Sequence, residues 1–430
     1  MICRNLSSIC NANHPKTWVL MIGCLVYFGP VSAQTKLVFK DLLSEASMNY
    51  PALRASRLEA RAALEDLRAA RRLYWPTISV VTEAASSKAT SSNPSQYVSV
   101  EQTLWDSGRI KSQIAESQAV TDIQTLKAAL QQEAVYLELA NAWQNMLASK
   151  ERMNVAMQTM ERLHDYQQQM SRRVKVETSP RIDLELANSR ILQTQVELIS
   201  AQYSLKQALT RIEQYTGRQD LYAMVTSQSS LMSEDSLSGF AATLGAVNWQ
   251  AVVDQHPAIA KVRAEAVQGQ TRLDQKKSEA WPQLYVRINQ PLYQLAPGYQ
   301  TGPTAFLGLR YSTSAGFINQ LQADALATRV ASAQELVHAA STDLLQTLKV
   351  EQDELVSARS RIDSLEKTVR GADLVMESYQ RQFKAGKKTW QDLLNAVREM
   401  AQNQYVLADA RASLQGVIYR IQIRTGQDIQ

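Results

Sequence analysis

Two stretches of the chain have the apolar spacing of very long, uninterrupted helices. Arg109 to Ser179 contains neither Gly nor Pro, and the same apolar spacing returns between Phe317 and Gln382. About 65 helical residues at ~1.5 Å each make a rod roughly 100 Å long, whereas the average helix has ~11–12 residues. We therefore predict long helices at 108–173 and 316–383, whose apolar stripes pack against other helices. The stripe of the first helix includes Leu139, Trp143, Met146, Met153, Met157 and Met160.

Ahead of each long helix, the hydrophobic pattern changes to the alternation of strands. Residues 77–86 and 96–104 alternate apolar with polar positions on either side of a Ser/Thr/Asn-rich loop. Residues 283–291 and 304–313 repeat this arrangement around a loop that contains Gly and Pro. The pattern predicts two antiparallel hairpins. Strands of ~9–10 residues with one apolar face are typical of proteins that cross an outer membrane.

The chain repeats itself once, with an offset that drifts only from 206 to 209 residues. Chance similarity in a helix-rich sequence would not keep Trp-Pro and Thr-Gly in register, so we infer a tandem duplication. The predicted organisation is a first repeat at 34–217, an equatorial linker at 218–247 and a second repeat at 248–430. The returning landmarks are Tyr50-Pro51-Ala52 and His256-Pro257-Ala258, Trp75-Pro76 and Trp281-Pro282, Gly108 and Gly316, Lys175 to Asp183 and Lys384 to Asp392, and Thr216-Gly217 and Thr425-Gly426.

Within each repeat, two shorter helices together match the length of the long one. The returning helices at 180–217 and 389–426 are little more than half as long, and the helices at 51–74 and 257–280 supply the remainder. Each repeat therefore makes two columns of equal height, one continuous and one assembled from two stacked helices. The first returning helix is expected to begin at Ser179-Pro180, a capping residue followed by Pro in the first turn.

The number of strands decides how many chains must assemble. Four strands cannot close on themselves, and an open edge in a bilayer leaves backbone groups unpaired. Two chains give eight strands, whose interior side chains fill, whereas three chains give twelve, enough for a water-filled bore. The predicted fold class is therefore mainly α with a membrane β-barrel contribution. Each protomer supplies duplicated long helical hairpins and two β-hairpins to a trimeric 12-strand barrel over an α-helical tunnel.

The N-terminus is separate from this fold. Arg4 and Lys16 precede an apolar run at 18–28, and a small-residue cleavage site ends at Ala33, so residues 1–33 are predicted to be a cleaved secretory signal peptide. A rival cut before Cys24, which would leave a lipid anchor, stays open. All three cysteines precede the cut after Ala33, so the mature chain has none for disulfides, thiol catalysis or cysteine metal sites.

Composition argues against an enzyme and against nucleic acid as a partner. Without the signal peptide, 44 basic residues face 41 acidic ones, a balance that does not favour nucleic acid. Aromatic residues make up only 7% of the chain, which is low for a compact enzyme. No strained nucleophile turn is apparent, and the histidines lack metal-ligand spacing. We expect no catalytic site, metal or cofactor. The histidines are His14, His164, His256 and His338.

The sequence resembles the TolC-like outer-membrane channel-tunnel family over 37–426. The resemblance implies a homotrimeric exit duct in the outer membrane of a Gram-negative bacterium, surrounded by outer-membrane lipid. It also implies docking onto a periplasmic adaptor (membrane fusion protein) and an inner-membrane transporter, for efflux or type I secretion. A periplasmic coiled-coil adaptor or scaffold is the alternative, although such a protein has no use for two membrane-length hairpins. The motifs that carry the resemblance, besides the repeat, are Tyr50-Pro51-Ala52-Leu53, Trp75-Pro76, Gln102 to Gly108 and Phe383-Lys384-Ala385-Gly386.

The resemblance also assigns residues at the tips of the helical hairpins. In the family, the second tip lines a closed aperture with two acidic positions three apart, held by hydrogen bonds and a basic residue. Here these positions are Asp392 and Asn395, with Lys388 as the basic residue. Phe383 stands where Tyr is common, and Asp183 is the matching acid of the first tip. Because Asn395 is uncharged, a trimer keeps one ring of carboxylates here instead of two, which implies a lower cation affinity.

A second interpretation of the acid at the second tip stays open. Thr389-x-x-Asp392 is also a capping box, and an acid in the first turn complements the helix dipole. The basic residues of the tips either dock a partner or are simply solvated. The candidates for partner docking are Arg173, Lys175, Lys384, Gly386 and Lys387.

Overall fold

The structure is a computed structural model that describes residues 37–84, 94–219, 221–228, 248–293, 302–312 and 318–426. The predicted signal peptide and most of the predicted linker lie outside these residues. The elements of the first half are α1 (Phe39–Asn49), α2 (Pro51–Arg71), a 3-10 turn (Arg72–Tyr74), β1 (Thr77–Ala84), β2 (Pro94–Trp105), α3 (Arg109–Lys175), α4 (Arg181–Thr216) and α5 (Leu221–Ser227). Those of the second half are α6 (Trp249–Gln255), α7 (Pro257–Ser278), β3 (Gln283–Tyr293), β4 (Thr304–Arg310), α8 (Ile318–Lys384) and α9 (Trp390–Thr425).

Local chemistry sets where the long first helix begins. Gly108 has the left-handed backbone conformation (φ 90°), which glycine adopts without steric cost. The Asp106 carboxylate accepts from the backbone N–H of Gly108 at 3.0 Å and of Ile110 at 2.6 Å. It thereby satisfies donors that a helix N-terminus leaves without partners. The chain turns from β2 into α3 at this point.

The start of α4 differs from the sequence prediction. The helix begins at Arg181, and Pro180 is its extended N-cap residue without any side-chain cap. Ser179 therefore does not cap the helix. The physical reason lies in the preceding turn, where the Thr178 N–H and hydroxyl both donate to the Arg173 carbonyl. This turn ends α3, and Pro180 takes the N-cap position of α4 in place of Ser179.

The four strands form one antiparallel sheet in the order β1-β2-β3-β4. The central pair, β2 and β3, joins the two repeats, with Glu101 opposite Arg287. β1 and β4 are the two edge strands. β4 ends at Arg310, earlier than the predicted end at 313, and most of each hairpin loop lies outside the described residues.

The helices form columns that follow the strand order. α2 and α4 pack along successive parts of α3, as shown by the Thr121 hydroxyl on the Ala63 carbonyl at 3.0 Å and by Gln167 on Asn188 at 2.8 Å. α7 and α9 likewise lie between α3 and α8. The order is α2 with α4, then α3, then α7 with α9, then α8. The two outer columns therefore attach to the two edge strands.

The largest hydrophobic core lies where α1 and α5 pack against α3 and α4. Phe39 of α1 is 5.6 Å from Trp143 and stacks on Tyr419 at 4.2 Å, measured between ring centroids. Leu221 of α5 is fully buried in the same core. The N-terminal helix α1 and the described part of the linker, α5, therefore pack on the helices of the first repeat.

Among the described residues, no helix is both long enough and apolar enough to cross a membrane.

Candidate functional site

The sheet has one apolar face that is open to its surroundings. Side chains alternate along each strand, so the pairing register places every second residue on the same face. Ile78 and Leu307 on this face are 71% and 70% exposed, which is far above what a water-soluble sheet leaves uncovered on one side. The large apolar residues of this face are Ile78, Val80, Val98, Val100, Leu284, Val286, Ile288, Leu307 and Leu309.

The opposite face of the sheet is polar and carries all the charges of the described strands. These are Glu83, Glu101, Arg287 and Arg310. Serine, threonine, asparagine and glutamine side chains fill many of the remaining positions on this face. A sheet that is apolar outside and charged inside has the pattern of a membrane barrel that surrounds water.

Exposed aromatic residues mark the end of the sheet at which the helices attach. Trp75 and Trp281 lie two residues before β1 and β3, Trp105 ends β2, and Tyr311 follows β4. Their exposed fractions are between 48% and 73%. Trp and Tyr favour the boundary between lipid and water because one part of each ring is apolar and another is polar. The aromatic residues thus indicate the level of one membrane surface.

At the other end of the helices, both tips make the same turn. Glu177 in the first tip and Gly386 in the second have φ values of 59° and 73°. In each tip, the following N–H donates to a carbonyl five residues earlier, from Thr178 to Arg173 and from Lys387 to Gln382. This is the helix-terminating turn that favours glycine. The first tip uses glutamate for it.

A tryptophan fastens the second tip to the first. The indole N–H of Trp390 donates to the backbone carbonyl of Asp183 at 2.8 Å. Trp390 is 4% exposed, and its ring lies 5.3 Å from that of Phe383. The guanidinium of Arg173 lies over the Phe383 ring at 4.7 Å, within the range of a cation–π contact. Phe383 therefore contributes apolar packing in place of a hydroxyl hydrogen bond.

The acid of the second tip caps its own helix. The Asp392 carboxylate accepts from the Thr389 hydroxyl at 2.7 Å and from the Thr389 N–H at 3.1 Å, and the Asp392 N–H donates back to Thr389. These hydrogen bonds hold the pKa of Asp392 below its usual range, and the bond from the Thr389 hydroxyl contributes most. Nearby Lys388 lowers the pKa further. The Lys388 ammonium lies 4.4 Å from the Tyr379 ring centroid. The capping box is present, and its carboxylate remains ionised.

Asn395 links the two returning helices. Its side-chain oxygen accepts from Arg190 of α4 at 3.4 Å. Arg190 and Trp390 thus hold α4 against α9, and neither was singled out from the sequence. A lone Trp beside the Thr389 cap could have drawn attention, but Arg190 has no distinguishing pattern. Both contacts join residues about 205 positions apart, which only the packed repeats reveal.

The outer residues of the tips are exposed to solvent. Lys175 and Lys384 end the two long helices, Gly386 and Lys387 lie on the second turn, and the described structure gives the three lysines no ion pair. Arg173 is half-buried because of its contact with Phe383. A group of His, Cys, Asp and Glu side chains able to hold a metal ion does not occur among the described residues.

The family comparison agrees with this geometry. The model of the outer membrane efflux protein family matches residues 42–218, which include the first hairpin of strands, the first long helix and the first tip. The first repeat of the chain is thus similar to the outer membrane efflux protein family. The resemblance drawn from the sequence motifs is thereby confirmed. No curated protein sequence matches the chain.

Solved structures of membrane channels and of an outer membrane protein share the fold of this chain at low sequence identity. CusC, studied for the changes that accompany folding and transmembrane channel formation, has 14% identity and a TM-score of 0.79, with 91% of this chain and 92% of CusC covered. VceC, an outer membrane protein of Vibrio cholerae, has 14% identity and a TM-score of 0.75 over 90% and 96% of the two chains. The outer membrane channel MtrE of Neisseria gonorrhoeae, in its open state, has 14% identity and a TM-score of 0.73 over 90% and 89%.

Proposed function

We propose that this protein is a passive exit duct of the outer membrane, assembled as a homotrimer. A periplasmic adaptor and an inner-membrane transporter open it at the tips, as part of a tripartite efflux pump or a type I secretion system. The duct needs no chemical turnover of its own, because its partners supply the energy. The chain is expected to reach the outer membrane of a Gram-negative bacterium through its cleaved N-terminal signal peptide.

The sheet is the observation that carries this proposal. Exposure of its apolar face to water would be unfavourable, and the charges of the described strands all lie on the other face. The 11 residues of β3 at ~3.4 Å each, tilted by about 40°, match an apolar band about 25 Å tall. The exposed aromatic residues at the helix end of the sheet fit the membrane surface. A periplasmic adaptor or scaffold has no need of these features.

The open edges of the protomer support the homotrimer. β1 and β4 each have one unpaired side in the described sheet, and the outer helices α4 and α8 lie at the same two ends. α4 carries a row of exposed apolar side chains at helical spacing. Joining one end to the other end of the next copy would pair the strands and cover the helices together. The row consists of Leu192, Val196, Ile199 and Tyr203.

The tips are proposed as the gate and the docking surface. In this proposal Asp392 is the aperture carboxylate, Asp183 is its counterpart, and the exposed basic residues of the tips receive the adaptor. The capping box supports a gate because it fixes the carboxylate while leaving it ionised. The contacts of Trp390 with Asp183 and of Arg190 with Asn395 would have to open when the two tips separate.

The duct is tested by single-channel recording of the purified mature protein in planar bilayers. Discrete, long-lived current steps are expected, together with a trimer in chemical cross-linking. Verified insertion of an oligomer without any current steps would contradict the duct and favour the scaffold.

Two variants separate the gate from the helix cap. Asp392→Asn removes the charge and should raise resting conductance and weaken block by divalent cations. Thr389→Ala removes the capping hydroxyl and retains the charge, so it should lower helix stability by about 1 kcal/mol and leave cation block in place. Equal cation block in Asp392→Asn and the unmodified protein would remove Asp392 from the aperture.

A further inference from the structure

The polar face of the sheet contains a cluster that the exit-duct function does not require. Each oxygen of the Glu101 carboxylate binds a different arginine. Oε2 accepts from Arg287 Nε at 2.9 Å and from its Nη2 at 2.5 Å, and Oε1 accepts from Arg310 Nη2 at 3.3 Å. The three residues come from three neighbouring strands, β2, β3 and β4. One carboxylate therefore serves two guanidinium groups, and the cluster has a net positive charge.

An aromatic ring holds the two arginines in place. The guanidinium carbons of Arg287 and Arg310 lie 5.3 and 4.7 Å from the centroid of the Tyr285 ring. That ring lies across Gly308 of the neighbouring strand, where any larger side chain would overlap it. Gly308 thus makes the space that the ring occupies, and the ring orients both guanidinium groups.

The two arginines retain N–H donors without a protein partner in the described structure, and these donors could bind an anion. Arg310 Nε and Nη1 and Arg287 Nη1 have no hydrogen-bond partner among the described residues. The side chains of Arg310 and Arg287 are 52% and 36% exposed, so a solute can reach them. Paired guanidinium groups suit the oxygens of phosphate and carboxylate because their N–H groups form a planar fork.

The remaining charge on this face is too far away to cancel the cluster. Glu83 is six residues along β1 from Thr77, the residue opposite Glu101. At ~3.3 Å per residue the two backbone positions are about 20 Å apart, more than the Debye length of about 8 Å at physiological salt, and the Tyr97 hydroxyl donates to Glu83 at 3.1 Å. The cluster is therefore a local patch of positive charge.

We propose that Glu101, Arg287 and Arg310 form an oxyanion-binding ring on the inner wall of the barrel, one cluster from each protomer. This inference rests on the proposed trimeric duct. Rings of Arg or Lys are a general means of favouring anions in a pore. The ring would retain solutes that carry phosphate or carboxylate groups as they pass through the β-domain.

The test measures how inorganic phosphate reduces the single-channel current, with chloride at equal ionic strength as the reference. The unmodified channel should be blocked by phosphate added on the β-domain side. Arg310→Gln should raise the half-blocking phosphate concentration about tenfold, the scale of one charge-assisted hydrogen bond. Glu101→Gln should lower it severalfold, because it frees both guanidinium groups from their competing carboxylate.

The opposite signs of the two variants protect the test from a general disturbance of the cluster. Both substitutions break the same ion pair, so a purely structural effect would change the block in one direction. Equal phosphate block in all three proteins, or a shift of the same sign in both variants, would overturn the ring. Absence of current steps from every protein would instead overturn the duct itself.

Discussion

The two long helices have the same length and corresponding places in their repeats, yet they differ sharply in burial. Each has 67 residues, and α3 buries 19 of them whereas α8 buries 6. α3 has α2 and α4 on one side and α7 and α9 on the other. α8 packs mainly on α7 and α9. Burial therefore follows the position of a helix within the wall more than its own sequence pattern.

The exposed apolar residues differ in the same way between the inner and the outer helices. α3 leaves one large apolar side chain exposed, Met157, whereas α8 leaves seven and α4 leaves five. Large apolar side chains are thus mostly covered on the inner long helix and exposed on the outer helices of the protomer. Each repeat supplies one inner and one outer column, and α3 differs from α8 because α3 is inner and α8 is outer.

The inner helix should be sensitive to truncation of a core side chain, and the edge helix should not. Leu139 of α3 is fully buried, whereas Leu336 of α8 is 58% exposed. Leu139→Ala should lower the free energy of unfolding by about 3 kcal/mol because it leaves a cavity. Leu336→Ala should change it by less than about 0.5 kcal/mol in the isolated protomer. Chemical denaturation of detergent-solubilised monomer measures both, and equal losses would contradict the comparison.

The exposed row on α4 should matter for assembly more than for protomer folding. Ile199 is 56% exposed in the protomer, and we propose that the next copy covers it. Ile199→Asp would place an unpaired charge in that interface and weaken each contact by about 2 kcal/mol. The fraction of trimer in chemical cross-linking should fall strongly. Glu197→Gln is the control because Glu197 is exposed, lies about 100° or more around the helix from every member of the row and also changes the charge by one unit. Equal trimer fractions in the two variants would remove this surface from the interface.

Glu351 is one of the few buried residues of α8, and it should make the stability of the protein depend on pH. Burial raises the pKa of Glu351 above its usual value of 4.5, although Arg424 opposes the shift through a hydrogen bond at 3.1 Å. Burial outweighs the arginine because Arg424 also faces Glu133 at 3.8 Å and because Glu351 Oε2 has no protein partner in the described structure. The folded state then holds a proton that the unfolded state loses. The contribution of Glu351 to stability is complete below pH 4.5 and declines as pH rises through the raised pKa.

Glu351→Gln should remove this decline. Relative to the unmodified protein, the variant should gain about 1 kcal/mol between pH 4 and pH 7, the scale of one buried oxygen without a partner. The free energy of unfolding measured at several pH values checks it. Exposed Glu65, paired with Arg68 on α2, supplies the control, because Glu65→Gln should leave the pH dependence unchanged. A difference between Glu351→Gln and the unmodified protein that stays constant with pH would show that Glu351 is ionised in the fold at no cost.

The sequence could predict periodic features and local caps, but not contacts between the repeats. The long helices, the strands and the Thr389 capping box follow from short-range patterns and occur within a few residues of the predicted bounds. Met157 was expected in a packing stripe and is 42% exposed, because its exposure depends on where neighbouring helices end. Arg190 and Trp390 were missed for the same reason. Their partners lie in the other repeat, and no spacing along the chain records that approach.

The smallest effect concerns the left-handed backbone position of each tip turn, where one tip has glutamate and the other has glycine. Glu177 and Gly386 occupy the same left-handed position of the same turn, at φ 59° and 73°. A side chain costs about 1 kcal/mol in that conformation. Glycine avoids this cost, but it loses more conformational entropy on folding, which offsets part of the gain. Glu177→Gly should therefore stabilise the first tip by about 0.5 kcal/mol, and Gly386→Ala should destabilise the second by about 1 kcal/mol.

The cause of the second effect is conformational, because a methyl group at Gly386 would touch nothing within 4 Å. Gly371 provides the matched control, since it lies inside α8, also has open space around it and has no left-handed backbone. Gly371→Ala should stabilise α8 by about 0.5–1 kcal/mol, opposite in sign to Gly386→Ala. Hydrogen exchange of the tip amides and thermal unfolding measure the three variants. Loss of stability in Gly371→Ala as well would show that a methyl group is harmful on this surface for another reason, and the left-handed turn would no longer explain the difference between the tips.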